Sequence, residues 1–343
     1  MVPALAVADA LRAEGAEVAF IGGGRAEAQL VPAAGFPLYT ISVQGMSRTH
    51  PLQALRALAR AAAAVPRARS LLARLAPDAV MGAGGYVAGP VGMAALSLRI
   101  PLVLTEADSH LGVTNRALAP LARRVCLAFP LAGREGPRYR VTGRPTAPPA
   151  QDRLAARARL GIAADESCVL IFGGSLGARS INMAAVEAFA GRAQTAASFH
   201  VLHVSGRRDY PELAARELRD GYDLRDYMEL ADFDEALAAA DLVLARAGGS
   251  VFEIAAHGLP AILVPYPHAS GDHQSANARW MSDAGAALTI ADAELSAARL
   301  GSEVAALLSD PSRLAAMASA SRSLARPAAA RDVADELLAA AAR

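Results

Sequence analysis

The chain alternates short β-branched and aliphatic runs with longer Ala-, Leu- and Arg-rich segments that have helical spacing. Such alternation is typical of parallel sheets covered by helices on both faces. In the first half, strands are predicted at 17–21, 38–43, 79–81, 101–105, 124–129 and 139–142. In the second half, they are predicted at 168–172, 200–204, 241–245, 261–265 and 287–290. Residues 52–64 and 67–75 have helical spacing, and the chain is almost entirely helical from Leu295 onward.

A proline-rich break divides this pattern. Residues 144–150 contain Pro145, Pro148 and Pro149, and prolines this close together disfavour both a helix and a central strand. We therefore predict an α/β protein with two doubly wound domains, 1–143 and 151–326, joined by a linker at 144–150. The two domains are expected to face a central cleft, where ligands of such folds bind. Pro327 interrupts the final helical run, and 327–343 is predicted to pack back on the first domain.

Composition narrows the class of protein. Hydrophobic residues make up 53% and charged residues 20% of the 343 positions, which is enough for two packed cores. The net charge of +1 gives no general attraction to nucleic acid. Cys126 and Cys168 are far apart and lack a CxxC neighbour, so a reduced, cytosolic protein without a zinc site is expected.

Two glycine-rich turns in the second half have the strand–turn–helix form that holds phosphates. The first contains Gly173, Gly174, Ser175 and Gly177 within 169–180. Its spacing differs from GxGxxG, which disfavours a nicotinamide cofactor, and a tight turn without a ligand is the alternative. The second turn contains three further candidates and a carboxylate on the following helix: Gly248, Gly249, Ser250 and Glu253. Glu253 could accept hydrogen bonds from a ribose or simply favour the helix dipole.

Further polar groups follow other predicted strands. Gln274 and Asn277 are one helical turn apart, a spacing that suits sugar hydroxyls and an acetamido group. The alternative is a polar first turn capped by Asp272. In the first half, the loop at 82–90 is rich in glycine, and Glu106 and Asp108 close a strand as candidate acid, base or sugar contacts.

Other features carry less weight. His200 and His203 are expected on opposite faces of one strand and are poor candidates for metal ligands. The sequence Asp232-Phe233-Asp234 is expected to cap a helix at 233–239 rather than to bind a metal.

A long stretch of the first half is basic and free of acidic residues. Residues 28–77 contain no Asp or Glu. The arginines there are Arg48, Arg56, Arg60, Arg67, Arg69 and Arg74, interleaved with Leu55, Leu58, Leu71, Leu72 and Leu75. Two interpretations stay open, a surface that rests on anionic lipid and an ordinary solvated helix face.

Taken together, these segments resemble the MurG family, peripheral membrane N-acetylglucosaminyltransferases of peptidoglycan synthesis. The likeness runs from residue 3 to residue 337 and is most specific in GlyGlyTyrValAlaGlyPro, PheGlyGlySerLeuGlyAlaArg and AlaIleLeuValProTyrProHis. It implies a GT-B fold of two Rossmann-like domains at the cytoplasmic face of the cell membrane. It also implies GlcNAc transfer from UDP-GlcNAc to an undecaprenyl-linked acceptor, converting lipid I to lipid II with inversion. No cofactor or essential metal is implied.

The resemblance also assigns roles by position. Donor-binding positions are Gly174, Ser175, the Leu230 backbone, Gly248, Gly249, Ser250, Glu253, Gln274 and Asn277. Acceptor-binding positions are Gly84, Gly85, Tyr86 and Asn115.

This chain departs from the family pattern in several places. Thr105-Glu106-Ala107-Asp108 replaces HisGluGlnAsn, and the turn at 248–253 is one residue shorter. The family's donor-binding arginine aligns near Ala147, with Arg144 as a possible substitute. The family's first strand, with the glycine loop that carries its proposed base histidine, is expected to precede Met1. Alternative functions are a UDP-GlcNAc 2-epimerase and a non-catalytic protein that only binds a UDP-sugar.

Overall fold

The computed structural model describes residues 1–24, 27–41, 51–174, 176–191 and 199–342, without the side chains of 51–59 and 270. The chain forms two units. Unit 1 comprises Met1–Ala147 and Arg326–Arg343, and unit 2 comprises Pro148–Ala325. None of the described helices combines the length and the apolar character needed to traverse a bilayer.

Unit 1 alternates helices and short parallel strands. Its helices, in chain order, are α1 (Val2–Ala13), α2 (Glu27–Ala33), α3 (Pro51–Leu75), α4 (Gly85–Ser97) and α5 (Val113–Leu118). Its strands are β1 (Phe20–Gly22), β2 (Leu38–Thr40), β3 (Val80–Gly82), β4 (Leu102–Glu106), β5 (Arg124–Leu127) and β6 (Tyr139–Val141). The described strands pair in two separate parallel sheets, β1-β2 and β3-β4-β5-β6.

The helix α3 differs from the two helical stretches that the sequence predicts. It runs unbroken through Pro66. A proline leaves the carbonyl four residues earlier without its helical partner; that residue is Ala62, which is exposed, so water can satisfy the oxygen. Ala64, Ala68, Leu71 and Leu72 of α3 are buried in the core. The interpretation of Leu71 and Leu72 as membrane-facing is therefore wrong, because they pack against the sheet instead.

Unit 2 is a single six-stranded parallel sheet with helices between the strands. Its helices are α6 (Arg153–Arg159), α7 (Arg179–Phe189), α8 (Tyr210–Ala214), α9 (Leu230–Ala239), α10 (Val251–Ala256), α11 (His273–Asp283), α12 (Ala297–Leu308) and α13 (Pro311–Leu324). Its strands are β7 (Ser167–Phe172), β8 (Phe199–Val204), β9 (Tyr222–Arg225), β10 (Leu242–Ala245), β11 (Ala261–Leu263) and β12 (Ala287–Thr289). Their spatial order is β12-β11-β10-β7-β8-β9. This is the doubly wound order, which reverses between the first and fourth strands.

The last helix, α14 (Ala329–Ala341), belongs to unit 1. It packs against α1 and β4 through an apolar cluster that includes Val7, Val103, Cys126 and Val333. Glu336 of α14 accepts hydrogen bonds from Arg124 on β5 (2.6 Å) and from Arg140 on β6 (2.7 Å). Arg140 also donates to Asp332 of α14 at 3.3 Å, so apolar packing and three ion pairs attach this helix to the sheet.

The segment between the units is irregular. No regular element is assigned within the fully described stretch 142–152. The backbone N–H of Ala150 donates to the carboxylate of Asp234 at 2.8 Å, which attaches the start of unit 2 to α9. The prediction that 232–234 caps a helix at 233–239 is wrong, because α9 begins at Leu230 and Asp234 lies within it.

Candidate functional site

The site in unit 2 is built at the point where the strand order reverses. There β7 and β10 are neighbours, and their last residues, Phe172 and Ala245, are paired in register. The two glycine-rich turns therefore leave the sheet side by side at its carboxyl edge. Ligands of doubly wound sheets bind at this position.

The turn after β7 is fixed by close backbone contacts that only glycine permits. A Cβ on Gly177 would lie 2.1 Å from the carbonyl oxygen of Ser205, and one on Gly173 would lie 2.3 Å from the nitrogen of Ala178. Gly174 and Gly177 have φ values of +85° and +77°, which L side chains rarely adopt. Ser175 lies outside the described residues. The turn leads into the first turn of α7, where backbone N–H groups lack helical partners and favour anions.

The turn after β10 consists of Arg246, Ala247, Gly248, Gly249 and Ser250. The last three residues are only half-buried, so their backbone remains accessible. Glu253 lies in the first turn of α10 and is half-buried. A carboxylate at that position can interact favourably with the helix dipole and can also accept a hydrogen bond from a ligand hydroxyl, so it is compatible with both interpretations made from the sequence.

The two predicted sugar-binding amides occupy different environments. Asn277 is 2% exposed, and its Nδ2 donates to the carbonyl oxygens of Ala247 (2.9 Å) and Gly248 (3.4 Å). Its Oδ1 is buried and has no hydrogen-bond partner in the described structure. Gln274 is half-buried, and its Oε1 accepts from the backbone N–H of Tyr266 at 2.9 Å. Both side chains lie on α11 and hold neighbouring loops in place, at 247–248 and at Tyr266, and Asp272 makes no capping bond to α11.

Arg246 is a central residue of the site that the sequence reasoning missed. Its guanidinium donates to the carbonyl oxygens of Val264 (3.1 Å) and Pro265 (3.3 Å), to Asp292 (2.5 Å) and to Ser180 Oγ (2.8 Å). It therefore ties the ends of β10 and β11, the segment after β12 and α7 together. The fork of an arginine suits such multiple acceptors.

The candidate site of unit 1 has its own glycine turn, between β3 and α4. Gly84 and Gly85 both have φ of +78°, and a Cβ on either would meet no atom within 4 Å. Glycine is required there by backbone conformation rather than by lack of space, and the surface beside the turn is open. Tyr86 follows and is 42% exposed.

Glu106 and Asn115 form one buried hydrogen-bonded cluster. Glu106 Oε2 accepts from the N–H of Gly112 (2.8 Å) and from Asn115 Nδ2 (3.0 Å), and its Oε1 accepts from the N–H of Asp108 (3.2 Å). Asn115 Nδ2 also donates to the carbonyl oxygen of Thr105 at 2.9 Å. With both oxygens engaged, Glu106 is built to hold the loop at 107–112. Asp108, the other candidate base, is half-buried beside it.

Arg144 lies in unit 1 and is half-buried, with its Nε buried and unpaired within the described structure. Its charge is close enough to the Met1 amino group to contribute, after burial, to lowering the pKa of that group. The geometry thus makes Arg144 a cation with hydrogen-bonding capacity left over.

Comparison with known families shows where this chain belongs. Residues 1–127 match the glycosyltransferase family 28 N-terminal domain, and residues 168–337 match the glycosyltransferase family 28 C-terminal domain. A protein of Moorella thermoacetica named UDP-N-acetylglucosamine–N-acetylmuramyl-(pentapeptide) pyrophosphoryl-undecaprenol N-acetylglucosamine transferase is 42% identical, over 95% of this chain and 92% of its own length. The protein with the same name from Rubrobacter xylanophilus is also 42% identical, over 97% and 98%. The chain belongs to the MurG family.

Solved structures agree with this assignment. The MurG crystal structure from Acinetobacter baumannii is 30% identical, with a TM-score of 0.74 over 98% of this chain and 95% of that one. A structure titled as a putative UDP-N-acetylglucosamine 2-epimerase from Listeria monocytogenes has a TM-score of 0.70 at 16% identity, over 96% and 90%. At that identity only the fold is shared. The GT-B fold predicted from the sequence is confirmed for this MurG-family chain.

Proposed function

We propose that this protein transfers N-acetylglucosamine from UDP-GlcNAc to the muramoyl 4-hydroxyl of an undecaprenyl-diphosphate-linked muramoylpentapeptide, converting lipid I to lipid II. The observation that carries the proposal is the 42% identity, over 95% of the chain, to a transferase named for this reaction. The paired glycine turns at the reversal point of unit 2 support it, because they offer backbone N–H groups to a diphosphate.

The donor is assigned to unit 2. The turn after β7, with Gly174, and the turn of Gly248, Gly249 and Ser250 face the diphosphate. Glu253 accepts from the ribose hydroxyls, the N–H of Leu230 in the first turn of α9 binds the uracil, and Gln274 and Asn277 bind the sugar. Arg144 adds a positive charge. Backbone N–H groups that are fixed before the reaction stabilise the departing UDP without reorganisation.

The acceptor is assigned to the glycine turn of unit 1, with Gly84, Gly85, Tyr86 and Asn115. The reaction is a direct displacement at the anomeric carbon, in which a base removes the proton of the attacking hydroxyl. Of the two carboxylates predicted to act in catalysis, Asp108 is the better base, because Glu106 already accepts three hydrogen bonds. Glu106 then acts by positioning the loop that carries Asp108.

The test measures UDP release from UDP-GlcNAc with and without a lipid I analogue. We expect acceptor-dependent release and one molecule of disaccharide product per UDP. A UDP-GlcNAc 2-epimerase shares this fold; turnover of the donor without acceptor would favour that function and overturn the transferase. Asp108→Asn should lower kcat far more than KM, whereas a normal kcat would remove Asp108 from the reaction.

We further propose that α3 binds anionic lipid at the cytoplasmic face of the cell membrane. Arg60, Arg67 and Arg74 recur every seven residues and are exposed, so they form one stripe along α3, beside the buried Ala64 and Leu71. The stripe is about 21 Å long at the helical rise of about 1.5 Å per residue. Arg69 is also exposed and donates to Ser97 at 2.6 Å. Arg48 lies outside the described residues, as do the side chains of Arg56, Leu55 and Leu58.

The lipid proposal is tested by pelleting with phosphatidylglycerol vesicles. Reversing Arg60, Arg67 and Arg74 to Glu should abolish binding that wild-type protein shows at low salt and loses as salt is added. The matched control reverses three exposed arginines of unit 2, Arg216, Arg279 and Arg313, which changes the net charge equally. If both triple variants lost vesicle binding equally, the net charge of the protein would account for the binding, and the arginine stripe of α3 would have no specific role.

A further inference from the structure

A network of buried hydrogen bonds lies next to the glycine-rich turn that follows β7. His203 on β8 is fully buried; its Nδ1 is 2.8 Å from the hydroxyl of Tyr222 on β9, and its Nε2 is 3.0 Å from Asn182 Oδ1 on α7. Asn182 Nδ2 donates to the carbonyl oxygen of Ser205 (2.8 Å) and to Asp209 Oδ2 (2.9 Å). Asp209 in turn is held by Arg208. None of these groups belongs to the donor site described above.

The hydrogen-bond partners of His203 and Asn182 fix the position of each proton in this network. Both hydrogens of the Asn182 amide are used by acceptors, so its Oδ1 must face His203. His203 Nε2 must therefore donate, which leaves Nδ1 to accept the hydroxyl hydrogen of Tyr222. Burial lowers the pKa of His203 to about 4, so the ring is neutral near pH 7, as this arrangement requires.

The hydrogen-bond network ends at the backbone that contacts the turn after β7. The Ser205 carbonyl, which accepts from Asn182, is the atom against which Gly177 packs without room for a Cβ. A Cβ on the neighbouring Gly206 would likewise lie 2.5 Å from the nitrogen of Gly177. The backbone at 205–206 is therefore a rigid support for the turn after β7, and the Asn182 amide sets where that support lies.

We propose that His203 is a positioning residue for the diphosphate-facing turn, acting through Asn182 and the backbone of Ser205 and Gly206. This role in donor binding rests on the proposed function. Without a donor at His203 Nε2, the Oδ1 of Asn182 is left buried without its partner, and the amide that holds the support at 205–206 is fixed on one side only. A buried polar group without a partner is costly, so the amide would rotate or admit water.

The variants for the test are His203→Leu, His203→Gln and His200→Leu. Leucine removes the donor, whereas the amide nitrogen of glutamine can donate toward Asn182 from about the position of Nε2. His200 is the matched control, because it lies on the same strand, is 8% exposed and has no bond to Asn182.

Two readouts are needed. In ligand-free protein, hydrogen exchange of 176–182 should be faster in His203→Leu than in wild type or His200→Leu, and should return toward wild type in His203→Gln. By calorimetry, His203→Leu should bind UDP about tenfold more weakly, a loss in keeping with one unpaired buried group, with uridine affinity unchanged. The glutamine variant should recover most of the UDP affinity.

The outcomes separate this inference from the proposed function. If wild type does not bind UDP, the proposed function is wrong, and the exchange at 176–182 alone decides whether His203 supports the turn. If wild type binds UDP but His203→Leu matches His200→Leu in both readouts, His203 has no positioning role. A general loss of stability, with exchange raised equally along β8 and α7 and no recovery in His203→Gln, would also overturn it.

Discussion

At the scale of single residues, two buried amides of this protein hold backbone segments in place. Asn277 and Asn115 are each 2% exposed, and each donates to a backbone carbonyl beside candidate site residues, Asn277 to Ala247 in the turn after β10 and Asn115 to Thr105 at the end of β4. In both, the amide oxygen is buried without a partner in the described structure. A buried acceptor of this kind is costly unless water or a ligand reaches it. The spacing of Asn277 from Gln274 suggested contact with a sugar, and the family resemblance assigned Asn115 to the acceptor; the backbone contacts add a second, structural reason for an amide at both positions.

We predict that Asn277→Asp destabilises the protein by about 1–3 kcal/mol, the cost of a lost buried donor. The carboxylate would face the carbonyl oxygens of Ala247 and Gly248 without a hydrogen to offer. Urea unfolding measures the effect. Gln274→Glu is the control, because its oxygen can still accept from Tyr266, and it should stay near wild type. Equal losses in the two variants would contradict the assigned role of Asn277.

Glu253→Ala should weaken UDP-GlcNAc binding by about 2–4 kcal/mol, because two hydrogen bonds to a charged acceptor are removed. Calorimetry at neutral pH measures it. Unchanged affinity would show that Glu253 acts only on the dipole of α10. Glu253→Gln keeps an acceptor and should lose less.

Arg246 shows the limit of sequence reasoning at this scale. Its side-chain acceptors are Ser180 on α7 and Asp292 after β12, which are 66 and 46 residues away in the sequence. Nothing local in the residues 245–254 distinguishes it from an ordinary solvated arginine. The glycines of the turn after β7 were predictable, because a turn that needs positive φ or close backbone contact, as at Gly173, Gly174 and Gly177, requires glycine in the sequence itself.

At the scale of elements, α14 is held to the sheet of unit 1 by charge as well as by packing. Burial disfavours the ionised form of Glu336, but hydrogen bonds from Arg140 and Arg124 outweigh it and lower the pKa of that carboxyl. A carboxylate with a lowered pKa stabilises the folded state above its unfolded pKa, and this contribution is lost as pH falls through the folded value.

Glu336→Gln should therefore cost about 1–2 kcal/mol at pH 7, a figure reduced because Arg140 is half-exposed and screened by solvent. The difference between wild type and variant should shrink as pH falls below the ordinary glutamate value of 4.5. Thermal unfolding from pH 7 to pH 3 measures it. A constant difference across that range would show that the carboxylate charge contributes nothing.

Most strands were predictable to within a few residues, because apolar β-branched runs in a buried parallel sheet are unmistakable. The exception is β9, with the sequence Tyr-Asp-Leu-Arg. It lies at the edge of the sheet and, among the strands that the structure describes, pairs with β8 alone, so it needs few apolar residues, and Asp223 and Arg225 can pair with each other at 2.6 Å. The unbroken α3 also escaped prediction, since local rules place a boundary at Pro66.

At the scale of the whole molecule, each unit contains one buried free cysteine, Cys126 in unit 1 and Cys168 in unit 2. Burial raises the pKa of each thiol from 9.0 to about 12. The thiolate is the reactive form, so neither cysteine should react in the native protein.

We predict that an aromatic disulfide reagent at pH 8 labels neither thiol in native protein and both in denaturant. At that pH, the raised pKa lowers the thiolate fraction about a thousandfold, before any shielding by the fold. The variants Cys126→Ala and Cys168→Ala leave one thiol each and so follow the unfolding of each unit separately. Native labelling at the rate of free cysteine would contradict the burial of that thiol.

The path of the chain through the two units has a consequence for synthesis on the ribosome. The chain leaves unit 1 after Ala147 and returns at Arg326, beside Gly143, where a Cβ would lie 2.5 Å from that of Arg326. Unit 2 is one continuous stretch and can fold as soon as it has emerged, whereas unit 1 must wait for α14, although most of its residues are made first. In the meantime the nascent chain exposes Val7, Val103 and Cys126, the apolar surface that α14 later covers. The growing polypeptide is therefore most vulnerable to aggregation and chaperone capture in its earlier half, until the last helix clears the exit tunnel.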